Sequence, residues 1–283
     1  MSKMQKNIFY RPLTAAPFKK NIFYREIAPC RELQAYVRCF WGSEQPAVRM
    51  AGDTAAEIVI PDTCADIIYY IDYTDNTVSG GFCGVNDQSF YAYEAGKRGH
   101  LTGMFAIRFY AWTACAFAED SLKATLNQYL EVGERFEWLD RLIRPVLPEL
   151  KTIQEMASFV EKLFIQRLAD VRENGIVNGV VRNILMNRGT MDVSGLAREA
   201  FISARQLERL FHEYVGITPK KLSNLIRYQL LWRDVLFQPD FDVLNAVCKY
   251  GYTDQAHLLH EFKRYHSMDI NSAKAAAFWS LLK

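Results

Sequence analysis

Two stretches in the last third of the chain repeat one pattern of apolar and polar positions. LAREAFISARQLERLFHEYVG (196–216) and VCKYGYTDQAHLLHEFKRYHS (247–267) align at an offset of 51 residues. Each consists of a short apolar helix, a four-residue break and a second, amphipathic helix, and this order is the sequence form of a helix-turn-helix. Ser203 and Asp254 occupy equivalent positions before the second helix, where such side chains cap a helix N-terminus.

In both copies the second helix combines an apolar stripe with a polar outer face. In the first copy Leu207, Phe211 and Tyr214 recur at helical spacing, so they are expected to face a core. Ser203 and Gln206 form a capping-box pattern, which predicts that the helix begins at Ser203. The outer faces carry side chains able to contact base edges and phosphates. The candidate DNA-contacting residues are Ser203, Arg205, Gln206, Glu208, Arg209 and His212 in the first copy, and Gln255, Ala256, His257, His260, Lys263 and Arg264 in the second.

One copy alone is more typical of an ordinary surface helix, whereas two copies with shared spacing favour DNA binding. Between the copies, Thr218 and Pro219 open a long helix with proline at a first-turn position. This central helix is apolar on nearly all sides, so it is expected to be buried between the two units and to fix their relative angle. Arg227 and Arg233 lie on its polar edge, where they either contact the DNA backbone or remain solvated surface arginines.

Residues 22–115 show the pattern of a β domain. Short runs rich in β-branched and aromatic residues alternate with turn residues, and they predict strands at 56–60, 66–73, 77–85, 89–95 and 103–110. One helix is predicted at 30–39. The hexapeptide KNIFYR occurs at 6–11 and again at 20–25. Its second copy is expected to lead into a strand at 21–26, and its first copy to form a loose arm or an added edge strand.

After residue 115 the apolar period changes from two to about 3.6, which predicts helices at 121–130, 134–144, 152–171 and 174–187. The fold class is therefore predicted as α+β. It comprises an N-terminal small β-barrel or sandwich domain with helices, and a C-terminal all-α domain in which the central helix joins two helix-turn-helix motifs. The predicted boundaries are 1–148 for the β-rich domain, 149–173 for a helical linker and 174–283 for the DNA-binding domain. The apolar stripe of 152–171 is covered either by a second copy of the chain or by its own sheet domain.

From about 176 to 277 the chain resembles the DNA-binding domain of the AraC family of bacterial transcription regulators. The resemblance rests on LAREAFISARQLERLFHEYVGITPKKL (196–222), the central helix, and VLNAVCKYGYTDQAHLLHEFKRY (243–265). It implies that two recognition helices enter successive major-groove segments on one face of the DNA. By position, it also implies that Arg205, Glu208 and Arg209 contact bases in the first unit.

The second copy departs from the family pattern at several positions. Leu258 replaces a usual aromatic residue, and His260 replaces a frequent arginine. The closing Gly-x-x-Pro of the first copy, which begins at Gly216, becomes Ser267 to Ile270 in the second. These departures motivate an alternative hypothesis, in which the chain is a small-molecule-binding β-domain protein whose helical half is a degenerate interaction module.

The N-terminal region resembles a domain found ahead of AraC-type DNA-binding domains in a subgroup of these regulators. The motifs are YREIAPCRELQAYVRCFW (24–41), IPDTCADIIYY (60–70) and MFAIRFYAWTACAF (104–117). The resemblance implies a sensory or association role. Five residues are candidates for lining an effector pocket, namely Trp41, Tyr69, His100, Arg108 and Trp112. The alternative is that the aromatic residues belong to the core and that Arg108 forms a salt bridge.

Net charge, cysteine spacing and the length of apolar runs limit the other functions that the chain could have. The net charge is only +2, so affinity for DNA must come from the local placement of arginine and lysine. The six cysteines form no C-x-x-C pair, which indicates reduced thiols in a cytoplasmic protein. No apolar run approaches the roughly 20 residues needed to span a bilayer, and no signal peptide is expected at the N-terminus.

No catalytic motif is present, and the chain is predicted not to be an enzyme. His257 and His260 share a helix face but lack an evident third ligand, so neither a metal nor another cofactor is predicted. The predicted partner is double-stranded promoter DNA. RNA polymerase, a small-molecule effector and a second copy of the chain are further candidate partners, and a membrane is not.

Overall fold

The computed structural model describes residues 10–13, 24–48, 57–92 and 97–279. Most of both KNIFYR copies lies outside these residues, so the fate predicted for each copy is described only in part. The strands are β1 (Arg25–Ile27), β2 (Val37–Gly42), β3 (Ala47–Val48), β4 (Glu57–Val59), β5 (Cys64–Asp72), β6 (Thr77–Cys83), β7 (Phe90–Ala92), β8 (Leu101–Tyr110) and β9 (Tyr129–Glu131).

The main sheet is antiparallel, with strand order β1-β2-β8-β5-β6-β9 and β3 paired beside one end of β8. The two longest strands, β5 and β8, lie side by side at its centre, with Ile67 opposite Ile107 and Tyr69 opposite Phe105. β4 and β7 form a separate two-stranded sheet. The predicted β-rich region is confirmed, but over the described residues its main sheet has β1 and β9 as open edges and does not close into a barrel.

One face of the main sheet forms the core of this domain. Alternate residues of β5 and β8, including Tyr69 and Phe105, are fully buried there, as the two-residue period of a strand requires. The helix at 153–167 packs its apolar stripe onto this face, where Phe164 stacks on Phe117 at 4.2 Å between ring centroids. Its own sheet domain therefore covers the stripe, which agrees with the second of the two alternatives.

Two predicted helices of the N-terminal region were wrong. Residues 31–36 form turns, and β2 begins at Val37, because the β-branched and aromatic run that follows pairs with β8. Leu33 still enters the core from the turn. Residues 123–127 form turns and β9 begins at Tyr129, since Ala124 and Asn127 have left-handed φ values of 65° and 55°, which interrupt a right-handed helix.

The other predicted helices are observed, with boundaries close to those expected. They are α1 (Gly133–Ile143), α2 (Ile153–Arg167), α3 (Gly175–Met186), α4 (Val193–Glu199), α5 (Ala204–Tyr214), α6 (Pro219–Phe237), α7 (Val243–Tyr250) and α8 (Gln255–His266). One further helix, α9 (Ile270–Trp279), was not predicted. α4–α5 and α7–α8 are the two predicted helix-turn-helix units, and both pack against the central helix α6. Trp232 and Tyr228 of α6 are completely buried between them. In the described part of the chain, no helix is both long and apolar enough to cross a membrane.

The N-terminal domain packs directly against the first unit and the central helix. The Leu122 backbone N–H donates to the carbonyl oxygen of Glu213, near the end of α5, at 2.9 Å. Lys221 of α6 is ion-paired with Asp87. Burial opposes the ionisation of Asp87, but hydrogen bonds from Lys221 and Asn127 lower its pKa below the ordinary value. The sheet domain is thus in contact with the end of α5, and its Ser89 hydroxyl is also hydrogen-bonded to the Ser267 hydroxyl at the end of α8.

Candidate nucleic-acid interface

The first candidate reading helix, α5, is fixed by its cap and by its apolar face. The Ser203 hydroxyl accepts a hydrogen bond from the Gln206 backbone N–H at 3.2 Å, which confirms the predicted start of the helix. Leu207, Leu210 and Phe211 are buried. Of the predicted contact residues, Ser203, Arg205, Gln206, Glu208 and Arg209 are exposed and His212 is half-buried.

The second candidate reading helix, α8, is built in the same way. The Asp254 carboxylate accepts a hydrogen bond from the His257 backbone N–H at 2.7 Å. Leu258, Phe262 and Tyr265 are buried against the central helix. The predicted contact residues Gln255, Ala256, His257, His260, Lys263 and Arg264 are all exposed.

The two units repeat each other's backbone despite their sequence differences. α5 and α8 begin at Ala204 and Gln255, and the following helices begin at Pro219 and Ile270, so both pairs keep the offset of 51. Gly216 has a left-handed φ of 81°, and its equivalent Ser267 adopts φ 62°. Loss of the Gly-x-x-Pro pattern therefore has not changed the fold of the second unit. The alternative hypothesis of a degenerate helical half rested on that loss, and the fold of the second unit does not support it.

Arg227 is not available as a DNA backbone contact. Its guanidinium donates to both carboxylate oxygens of Glu261, at 2.8 and 2.9 Å, and only 12% of its side chain is exposed. The Tyr252 hydroxyl donates to the same carboxylate at 2.8 Å. No local pattern signals this pair, because the two residues lie 34 positions apart and an acid on an amphipathic helix usually faces solvent. Arg233 lies on the exposed edge of α6.

The five candidate effector-pocket residues do not meet in one place. Trp41 and Arg108 lie together on the sheet face opposite the core, where both bond to Asp66 at 2.8 Å, and Arg108 lies 5.3 Å from the centre of the Trp41 ring. Sequence reasoning missed Asp66, whose only signal is a lone acid within an apolar strand. Burial raises the pKa of the neighbouring Asp62, and Arg108 opposes that shift.

The other three candidates lie elsewhere in the domain. Tyr69 faces the core, fully buried, and donates to Asp140 at 3.1 Å. His100 is at the β5–β6 hairpin, with Nδ1 at 2.8 Å from an Asp72 oxygen. Trp112 stacks on Tyr110 near the contact between the domains.

One group of described residues has the spacing of a metal site. Ligand atoms of Asp72, Asp75 and His100 all lie within 4.8 Å of one another. However, Asp75 is already ion-paired with Lys97 at 2.5 Å, and Asp72 caps the hairpin turn by accepting the backbone N–H of Thr74 at 3.0 Å. These contacts account for the arrangement as a turn.

Comparison with known proteins agrees with this geometry. Residues 196–272 match the family model of a helix-turn-helix domain, and residues 25–131 match a domain of unknown function, DUF6597. No curated protein matches the chain.

Several solved structures are similar to parts of the chain. An AraC-type transcriptional regulator from Chromobacterium violaceum is 20% identical over 35% of this chain and 88% of its own, with a TM-score of 0.32. The C-terminal domain of AraT, a response regulator from Geobacillus stearothermophilus, is 19% identical over 37% and 88%, with a TM-score of 0.35. ToxT from Vibrio cholerae is 10% identical over 84% and 98%, with a TM-score of 0.41.

The family match spans α4 to the start of α9, and therefore includes both capped helices and the central helix between them. The chain thus carries a helix-turn-helix domain over residues 196–272, behind a domain of unknown function over residues 25–131.

Proposed function

We propose that the chain binds one promoter site by inserting α5 and α8 into successive major-groove segments. The observation that carries the proposal is the repeated geometry of these helices. Each is capped at its N-terminus, buries one apolar stripe against the same central helix and exposes a polar outer face. Recognition helices meet base edges with the exposed residues near their N-termini.

The exposed side chains divide into two roles under this proposal. Arg205 and Arg209 of α5 contact base edges, since arginine pairs well with the acceptors of guanine. Lys263 and Arg264 lie in the last turn of α8, where they contact phosphate and set the register without selecting a base. The first unit therefore contributes more to sequence selection through charge, and the second more through neutral side chains.

The N-terminal domain is proposed to modulate this binding. Its contact with Glu213 and Lys221 gives a direct route from the sheet domain to the end of α5. The paired Trp41 and Arg108 are proposed as the effector-facing part of the predicted pocket, because an aromatic ring and a charged group lie together at one surface. RNA polymerase and a second copy of the chain remain proposed partners.

The proposal is tested by incubating the purified chain with fragmented genomic DNA at two salt concentrations and sequencing what it retains. We expect a shared site of about two helical turns that survives the higher salt, because base contacts resist salt better than phosphate contacts. Retention without any shared sequence would overturn the proposal. In that case, binding of a small molecule to the sheet domain would have to be sought first.

A variant pair tests the assigned face of α5. Arg205→Ala combined with Arg209→Ala should weaken binding to the selected site by at least about tenfold, since one good base contact contributes about 1–3 kcal/mol. Arg141→Ala, an exposed arginine of α1 in the other domain, is the matched control for loss of charge. Equal affinities for the double variant and the control would show that α5 does not contact bases through this face.

A further inference from the structure

A continuous series of contacts leads from the central helix to one exposed residue of the second reading helix. It begins at the carboxylate of Glu261, which Arg227 holds with two short hydrogen bonds and which also accepts from the Tyr252 hydroxyl. The Arg227 guanidinium lies 4.3 Å from the centre of the Tyr252 ring. Tyr252 is therefore fixed at its hydroxyl and across its ring, in the turn between α7 and α8.

This turn between α7 and α8 also orients the His257 side chain. The Tyr252 ring meets the His257 imidazole edge to face, with ring centroids 5.3 Å apart and planes at 83°. On the other side, the Thr253 hydroxyl lies 3.3 Å from His257 Nδ1, and the Thr253 backbone N–H points at the same nitrogen from 3.5 Å. A backbone N–H can only donate, so Nδ1 must accept, and the proton of the neutral ring then lies on Nε2.

A donor-only group in the major groove has one well-matched base. Guanine presents two adjacent acceptors, N7 and O6, whereas the adenine N7 lies beside an amino donor, cytosine presents an amino donor, and the thymine O4 lies beside a methyl group. From these contacts we infer that His257 presents a fixed Nε2–H donor to guanine, and that Tyr252, Thr253, Glu261 and Arg227 are its positioning residues. The inference rests on the proposed function and adds the base and the atom that the second unit recognises.

The equivalent position of the first unit offers no such preference. Gln206 stands there, and its amide carries both a donor and an acceptor, so it can satisfy several bases. The two units are thus expected to differ in how strictly one position of the site is specified.

The test replaces each guanine of the selected site, one at a time, with 7-deazaguanine, which lacks the N7 acceptor. One replacement within the half bound by α8 should weaken wild-type binding about three- to tenfold, the effect of losing one hydrogen bond. The His257→Ala variant should be insensitive to that replacement while it still responds at guanines bound by α5. Equal responses of wild type and His257→Ala at every guanine would overturn the inference.

Variants of the turn test the positioning residues. Tyr252→Phe keeps the ring and removes the hydroxyl, and Thr253→Val removes the hydroxyl contact to Nδ1 at constant shape but keeps the weaker backbone contact. Each should reduce the selective effect of 7-deazaguanine to less than twofold. Thr253→Ser restores the hydroxyl and should recover that effect, which a purely structural loss would not show. Unchanged selectivity in both Tyr252→Phe and Thr253→Val would remove the positioning role.

A measurement on the free protein separates this inference from the proposed function. A long-range ¹H–¹⁵N spectrum of the histidine rings shows directly which nitrogen carries the proton, and the Nε2–H form is expected for His257. A proton on Nδ1 would overturn the inference even if DNA selection succeeded. A failed selection would overturn the proposed function, and with it the assignment of guanine, whatever the spectrum showed.

Discussion

The two helix-turn-helix units share one backbone but are held in place by different parts of the molecule. The first unit is fixed from outside, because the N-terminal domain contacts the end of α5 at Glu213. The second unit is fixed from inside, because buried polar contacts tie it to the central helix at Glu261 and at Tyr250, whose hydroxyl donates to Asp234. The sheet domain also touches the end of α8, where the Ser89 and Ser267 hydroxyls are hydrogen-bonded, so a signal in that domain has a direct contact with both units.

The turn between α4 and α5 and the turn between α7 and α8 differ in where the left-handed residue lies, and this explains why, among the described residues, only the second unit has a buried polar cluster. In the second turn the left-handed residue is Gly251, with φ 64°, and Tyr252 points inward at 6% exposure. In the first turn the left-handed residue comes one position later, at Phe201 with φ 56°, and that side chain is 95% exposed. A shift of one residue thus decides whether the aromatic ring joins the polar cluster or points to solvent.

The largest expected effect comes from breaking the buried ion pair of the second unit. Leu210 occupies the position equivalent to Glu261, so Glu261→Leu imitates the first unit but leaves Arg227 unpaired. We expect it to lower the free energy of unfolding by about 3 kcal/mol or more. Adding Arg227→Met and Tyr252→Phe removes both donors to the Glu261 carboxylate and should restore stability to within about 1 kcal/mol of wild type. Urea unfolding measures both variants, and a triple variant as unstable as the single one would refute the account.

The second unit should also be the more sensitive to acid. Burial lowers the pKa of His266 from its ordinary 6.5 to about 4, and the residue equivalent to His266 in the first unit is the non-titrating Val215. Between these pH values the unfolded chain binds a proton that the folded chain does not. Stability therefore falls as pH drops from 6.5 towards 4, by up to about 3 kcal/mol.

The control for this acid sensitivity removes the histidine together with its polar partner. His266 Nδ1 lies 2.9 Å from the Tyr228 hydroxyl, so His266→Phe is combined with Tyr228→Phe to leave no unpaired buried group. Unfolding free energies measured across this pH range should fall less in the double variant. An identical slope in wild type and variant would assign the acid sensitivity to other groups.

A third prediction concerns the residue that closes each unit. Both Gly216 and Ser267 are left-handed, but a Cβ on Gly216 would lie 2.8 Å from the Leu122 carbonyl oxygen and 2.6 Å from the Thr125 hydroxyl. Gly216→Ser should therefore cost about 2 kcal/mol of stability by overpacking the domain contact. Ser267→Gly relieves the left-handed backbone but loses the exposed hydroxyl contact with Ser89, so it should change stability by less than about 1 kcal/mol. A tolerated serine at 216, measured by thermal unfolding, would show that the sheet domain does not constrain the first unit.

The repeated pattern of the sequence was sufficient to predict the helices of the DNA-binding domain. Long amphipathic stripes and cap residues are local signals, and they located α5 at Ser203 and α8 at Asp254. The helix predicted at 30–39 failed for the opposite reason. The helical spacing of Leu33 and Val37 is satisfied equally by a turn and a strand, and pairing with β8 decides between them.

Contacts between distant residues could not be predicted in this way. Tyr69 lies three positions after Asp66 on one strand, an odd spacing, so it faces the core and not Trp41 and Arg108. The pairing of Asp66 with Arg108 depends on the strand order of the sheet, which no local pattern specifies.

The smallest expected effects come from substituting the residue with a left-handed φ in each of the two turns, Phe201 and Gly251. Phe201→Gly should stabilise the chain by about 1 kcal/mol, because a left-handed backbone is unfavourable for phenylalanine and its exposed ring contributes little packing. Gly251→Ala should cost a similar amount through backbone strain alone, since its new methyl would meet Thr190 at an ordinary 3.4 Å. Unfolding and DNA affinity are measured together. If Phe201→Gly gains stability but loses affinity, the exposed ring contacts DNA and its strained backbone is retained for binding.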